Sequence, residues 1–134
     1  MTQHARGPFD VKTIPQPPEP HSETPSIGRF LLDKQFHGDL EGTSKGIMLS
    51  AGDPRSGSAG YVAIEVVTGK LNGHTGTFAM QHFGTMDAGS LSLEVQVVPG
   101  SSSGELKGIS GKMTIQIADG KHSYDLEYSL PATQ

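Results

Sequence analysis

From Gly28 onward a glycine recurs every five or six residues, and no stretch between glycines is long enough to sustain a helix of ordinary length. Between them apolar and polar residues alternate at period two, the pattern of a strand with one face buried. The pattern recurs about seven times. Gly 18 and Pro 9 together occupy 27 of 134 positions, which again favours strands joined by turns over helices.

The alternation marks the strands individually. Phe30, Leu32 and Phe36 define one face of Gly28 to Phe36, and Ile47 and Leu49 mark a strand before Asp53-Pro54. In Tyr61 to Thr68 both faces are apolar apart from Glu65, which predicts a central strand. Asn72-Gly73 then favours a type I′ turn, because both positions take positive φ cheaply, and it returns the chain into His74 to Gly84. Leu91 to Val97 alternates up to Pro99-Gly100, and Met113, Ile115 and Ile117 lead into a second hairpin at Asp119-Gly120. His122, Tyr124, Leu126, Tyr128 and Leu130 share one face of the last strand. Adding Phe9 to Ile14 gives about eight strands with short connections, so the expected fold is all-β: a single eight-stranded antiparallel up-and-down barrel, whose closure removes exposed sheet edges.

At this length one domain is expected. Six of the nine prolines fall within the first 25 residues. Residues 1–27 are therefore read as an N-terminal strand plus an extended Pro-rich segment of the same domain, and residues 28–134 as the barrel body.

Function classes are excluded by inspection. Lys and Arg number 10 against 14 Asp and Glu, a net charge of −4, so a nucleic-acid partner is not expected. The opening MTQHARG is polar and no run of 18 apolar residues exists, so neither a membrane partner nor export is expected and a cytoplasmic location is. Cysteine is absent, which removes thiolate metal sites and thiol nucleophiles. No two glycines stand two apart, ruling out GxGxxG, and neither Gly111-Lys112 nor Gly120-Lys121 has the flanks of a phosphate-binding loop. The Pro99 to Gly111 stretch reads as structural, since Glu105 opposes an anion there. No cofactor is implied.

Five residues remain as a candidate ligand-binding site: Glu65, His82, His122, Tyr124 and Tyr128. His4, His21 and His74 read as solvated, and the six histidines show no metal-ligand spacing, so no metal is expected. Glu65 interrupts an apolar strand and requires a partner if it points inward. Each of the five lies on or beside an apolar face and carries a polar atom, so convergence on one cavity is the expected way to satisfy them.

The segments YVAIEVVTGKLNGHTGTFAMQHFG, VVPGSSSGELKGISGKMTI and GKHSYDLEYSLP resemble a family of small bacterial proteins of unknown function, whose fold is similar to the allene oxide cyclase barrel. The resemblance spans about Gly28 to Pro131 and includes Glu65, His82, Pro99, Gly100, Ser101, Gly104, Glu105, Leu106, Gly108, Gly111, His122, Tyr124 and Tyr128. Ser102 and His74 depart from it, standing where a glycine and an arginine are expected. The resemblance implies an eight-stranded, often oligomeric barrel with an interior cavity, and no established activity. The leading functional expectation is a barrel that binds a small, largely apolar ligand in its interior. The alternatives are a cyclase- or isomerase-type enzyme using interior Glu, His and Tyr, or a filled barrel acting as an oligomerisation module. A homo-oligomer is compatible with all three.

Overall fold

The computed structural model describes residues 2–17 and 27–131. Most of the proline-rich segment, with His21, lies outside the described residues.

Nine strands form among the described residues: β1 (Gln3–Pro15), β2 (Gly28–Phe36), β3 (Leu40–Asp53), β4 (Ser58–Leu71), β5 (His74–Asp87), β6 (Ser90–Val97), the two-residue β7 (Ser103–Gly104), β8 (Ser110–Ala118) and β9 (Lys121–Ser129). A short 3₁₀ turn, Pro54–Ser56, is the single helical element among the described residues, and no helix there is long and apolar enough to cross a membrane. The strands pair antiparallel in the ring β1-β2-β3-β4-β5-β6-β8-β9, with β9 back on β1, so eight strands close and β7 adds a short rung on β5. With the two-residue β7 set aside, each strand of the ring pairs with its neighbours in sequence, as an up-and-down barrel requires. The first strand begins earlier than Phe9: Gln3 to Phe9 pairs with β9 and Phe9 to Pro15 with β2, which makes the N-terminus the closing stave.

Turn chemistry holds the hairpins. Asn72 and Gly73 lie at φ 46° and 90°, and Asp119 and Gly120 at 53° and 74°. Such angles are cheap for Asn, Asp and Gly. A third hairpin, at Ala88-Gly89, places an alanine at φ 49°, a position the sequence does not advertise.

Strand parity decides what fills the barrel. Phe9, Phe36, Val67, Phe78, Met80, Val95, Met113 and Leu126 point inward and form one core. One end is sealed: Leu40 and Leu71 beside two hairpins, with Leu106 and Ile109 of the 98–109 loop, are buried. The outer wall carries apolar residues as well. Ile47 and Leu49 face outward, the inner face of β3 being Leu40, Gly42, Ser44, Gly46 and Met48. β4 is central as expected, paired with β3 on one side and β5 on the other, and because a closed barrel has no second layer its outward Val62, Ile64 and Val66 stand exposed.

Candidate functional site

Glu65 lies on the inner face of β4 with Tyr61, Ala63, Val67 and Leu71, and it is wholly buried. A carboxylate there must be compensated. Lys34 Nζ donates to its Oε2 at 2.8 Å, Ser44 Oγ donates to Oε1 at 2.7 Å, and His82 Nε2 meets Oε2 at 2.8 Å. Small residues make the room. Gly46 sits opposite Glu65 on β3, where a Cβ would stand 2.6 Å from that of Glu65, and Ala63 sits opposite His82. Lys34, Ser44 and His82 reach the carboxylate from their own strands across that space. The ammonium of Lys34 also lies 5.4 Å from the Phe9 ring centre.

The ionised carboxylate only accepts, so Nε2 of His82 carries hydrogen. The other ring nitrogen, Nδ1, lies within hydrogen-bond distance of the Tyr61 hydroxyl, at 2.9 Å. A hydrogen-bonded line therefore runs from Lys34 through Glu65 and His82 to Tyr61, whose ring is only partly buried. Burial works to raise the Glu65 carboxyl, but the His82 hydrogen bond, the Lys34 charge and the hydrogen bonds of Lys34 and Ser44 outweigh it and bring it down to about 2. Burial, with the Glu65 charge, pushes the Tyr61 phenol up to about 12, so it keeps its proton at neutral pH.

The other three expected site residues are placed differently. Tyr124 Oη donates to the His37 carbonyl at 2.7 Å and accepts from the Leu40 N–H at 2.9 Å. Tyr128 Oη accepts from Asn72 Nδ2 at 2.7 Å and lies 3.2 Å from Gln3 Oε1. Both hydroxyls are thus spent on the sealed end, tying β9 to its two hairpins. His122 packs against Phe9 with ring centres 5.2 Å apart. The five residues do not share one hydrogen-bonded cavity: Glu65 and His82 meet, while backbone groups and a hairpin asparagine satisfy the tyrosines. Lys34, Ser44 and Tyr61 are the members sequence reasoning missed. Parity carried a signal for Lys34, which stands between Leu32 and Phe36 on the face those residues mark.

At the far end of the barrel the wall is split. The ladder between β6 and β8 contains two pairs, Val95 with Met113 and Gln96 with Lys112. Its continuation in register would set Leu93 against Ile115 and Leu91 against Ile117, but no such pairs form. These side chains have inward parity, yet Leu91 is 72% and Ile117 63% exposed. Tyr61 lies on the row just inside this opening: it pairs with Gly84, which pairs with Leu93. A separate concave region of about 940 Å³ lies on the outer wall of β2–β6, lined by Leu31, Ile47, Val62, Ile64 and Phe83 among others. Among the described residues no cluster of three His, Cys, Asp or Glu side chains is arranged to hold a metal.

Fold and site define a closed antiparallel β-barrel with a compensated ion cluster inside and one split end. The chain belongs to the family described as Protein of unknown function (DUF3224), whose model matches residues 5–128. It is similar to a protein of unknown function from the same family in Shewanella oneidensis MR-1, known from a 1.84 Å crystal structure, with 44% identity, a TM-score of 0.88, and coverage of 99% of this chain and 100% of that one. No curated protein matches the chain. The family part of the sequence resemblance is therefore shown; neither match names an allene oxide cyclase.

Proposed function

We propose that the protein is a ligand-binding barrel whose site is the split end, taking a small, largely apolar molecule that carries one polar oxygen. The observation behind this reading is the interrupted β6–β8 ladder, which leaves inward-parity apolar side chains unfilled in front of the Tyr61–His82 pair. Leu91, Leu93 and Ile117 supply apolar contact, and the Tyr61 oxygen, held by His82 and Glu65, supplies one oriented polar partner. In this reading Glu65 and His82 orient the anchor, His122 flanks the cavity, and Tyr124 and Tyr128 serve the scaffold.

The test combines mass spectrometry of organic extracts from freshly purified protein with titration of anilinonaphthalene sulfonate as an apolar probe. Extracts should contain a retained apolar molecule. Leu91→Glu or Ile117→Glu should abolish probe binding, and Val62→Glu on the outer wall should leave it intact. Binding lost through Val62→Glu and kept in the other two overturns the proposal.

The Tyr61–His82–Glu65 line also favours a second reading, an isomerase- or cyclase-type enzyme in which Tyr61 exchanges a proton with a bound ligand and His82 relays it. Turnover of an extracted ligand that is lost in Tyr61→Phe, with binding retained, would separate this from binding alone.

A further inference from the structure

The Tyr61 hydroxyl at the split end has one proton to give, and the ring of His82 decides where that proton points. Burial and the Glu65 charge push the phenol up to about 12, so the proton stays on Tyr61 at neutral pH. The ionised Glu65 carboxylate only accepts, so it holds a hydrogen on Nε2 of His82 in either charge state of the ring. Nδ1 is then the nitrogen that changes. In the neutral ring it is an acceptor, and the Tyr61 hydroxyl donates to it across 2.9 Å. In the charged ring it carries hydrogen, and the Tyr61 oxygen accepts from it at the same separation.

The two arrangements offer a ligand opposite chemistry. With its proton turned to Nδ1, Tyr61 presents only oxygen lone pairs to the opening, which suit an N–H or O–H. With Nδ1 donating, the phenolic proton is free to turn to the opening, where it suits a carbonyl oxygen. The titratable and charged groups that share the interior with His82 are Lys34 of β2, Tyr61 and Glu65 of β4, and His122, Tyr124 and Tyr128 of β9, while the inward faces of β1, β3, β6 and β8 carry none. On β5 itself His74 is exposed at its hairpin. Lys34 is held by Glu65, and the hydroxyls of Tyr124 and Tyr128 are bonded at the sealed end. His122, packed on Phe9, is the other inward histidine whose titration has to be told apart from that of His82.

Resting on the reading of the split end as a ligand site, we propose that His82 is the positioning residue that sets the hydrogen-bond sense of the ligand. The neutral imidazole selects an apolar molecule that donates through O–H or N–H, and the imidazolium selects one that accepts through a carbonyl oxygen. The penalty for the wrong sense is a polar group left unpaired in a partly desolvated site. Linkage makes the preference reciprocal: an accepting ligand favours charge on His82 and a donating ligand favours the neutral ring. Rotation of one hydroxyl thus exchanges one ligand class for the other as pH crosses the His82 titration.

Three bicyclic probes of similar size test this: indole, which donates through N–H, indanone, which accepts through its carbonyl, and indane, which does neither. Their affinities are measured by NMR titration of the full chain carrying His122→Gln, so that His82 is the inward-facing histidine left, while its imidazole nitrogen shifts report its charge. As His82 gains its proton between about pH 8 and 5, the affinity ratio of indanone to indole should rise at least about tenfold, with indane unchanged. His82→Phe in the same background, checked for folding by circular dichroism, should hold the ratio constant, and Leu91→Glu should abolish binding of all three. A ratio that stays flat while His82 titrates overturns the proposal and leaves the binding reading standing, and so does a ring that keeps one charge state throughout. Probes that fail to bind, or that bind regardless of Leu91→Glu, overturn both.

Discussion

At the sealed end of the barrel Leu40, Leu71 and Leu106 are wholly buried beneath hairpins and a folded loop, whereas at the split end Leu91 and Ile117, on the same inward parity, are 72% and 63% exposed. Both ends are made from alternating strands. What separates them is how the walls are tied. Tyr124 and Tyr128 bridge β9 to the two hairpins at the sealed end, while at the other the β6–β8 ladder stops after two pairs. Side-chain burial inside a small barrel thus depends on completing the ring of backbone bonds as well as on apolar content. Between the ends lies the Lys34–Glu65–His82 cluster, where the comparison can be tested hardest.

The largest effect is expected from Glu65→Ala, which leaves the Lys34 ammonium and His82 buried without their acceptor. Removing one partner of a buried pair costs about 3–5 kcal/mol, and urea denaturation should show a loss of that size. A loss below about 1 kcal/mol would mean that water reaches the cluster, so that the sealed half does not extend to it.

The acid limb of the stability curve is the next test. The Glu65 carboxyl is held at about 2 against an ordinary 4.5, a folded-state depression, so its contribution is fully present above pH 4.5 and lost as pH falls toward 2. The depression corresponds to about 3 kcal/mol at neutral pH. Urea midpoints measured through that window should fall in the wild type, and Glu65→Gln should flatten the fall.

A smaller effect separates the two exposed-to-buried tyrosine roles. Tyr124→Phe removes the acceptor of the Leu40 N–H and the donor to the His37 carbonyl, and unsatisfied buried groups of that kind cost about 1–3 kcal/mol. Tyr61→Phe removes one bond to a His82 nitrogen next to the split end, where water can replace it, so its stability cost should be the smaller of the two. Thermal melts of both variants decide the order. Equal losses would erase the distinction between a structural and an accessible hydroxyl.

Which parts of this were legible in the sequence follows from what alternation can encode. Period two and the Asn72-Gly73 and Asp119-Gly120 turns specify strands, hairpins and antiparallel order, all local properties. Alternation says less about which parity faces inward when both are apolar. Ile47 and Leu49 marked β3, and the inner face proved to be the one with Ser44 and Gly46. The cluster is non-local: Lys34, Ser44, Glu65 and His82 come from four strands and meet through register. Glu65 and His82 were detectable as polar residues on apolar faces, but Lys34 looks like an ordinary surface lysine until the register is known. Tyr124 and Tyr128 were correctly placed on the inner face, yet their partners are backbone groups and a hairpin asparagine that no side-chain pattern announces.

The smallest expected change is Leu91→Ser. In a packed core, truncating a leucine costs about 2–5 kcal/mol, because contacts are lost and a cavity remains. Leu91 is mostly exposed and its strand edge is unpaired toward β8, so little packing is there to lose. The variant should melt within about 0.5 kcal/mol of wild type, the range of ordinary surface substitutions. The same argument predicts that amides of β6 facing the split, and of β8 from Thr114 onward, exchange with solvent faster than those of β4, which is paired on both sides along its length. Hydrogen exchange resolved by residue tests both statements. If Leu91→Ser is as costly as a core truncation and the split amides are protected like those of β4, the ladder closes in solution and the two ends are alike.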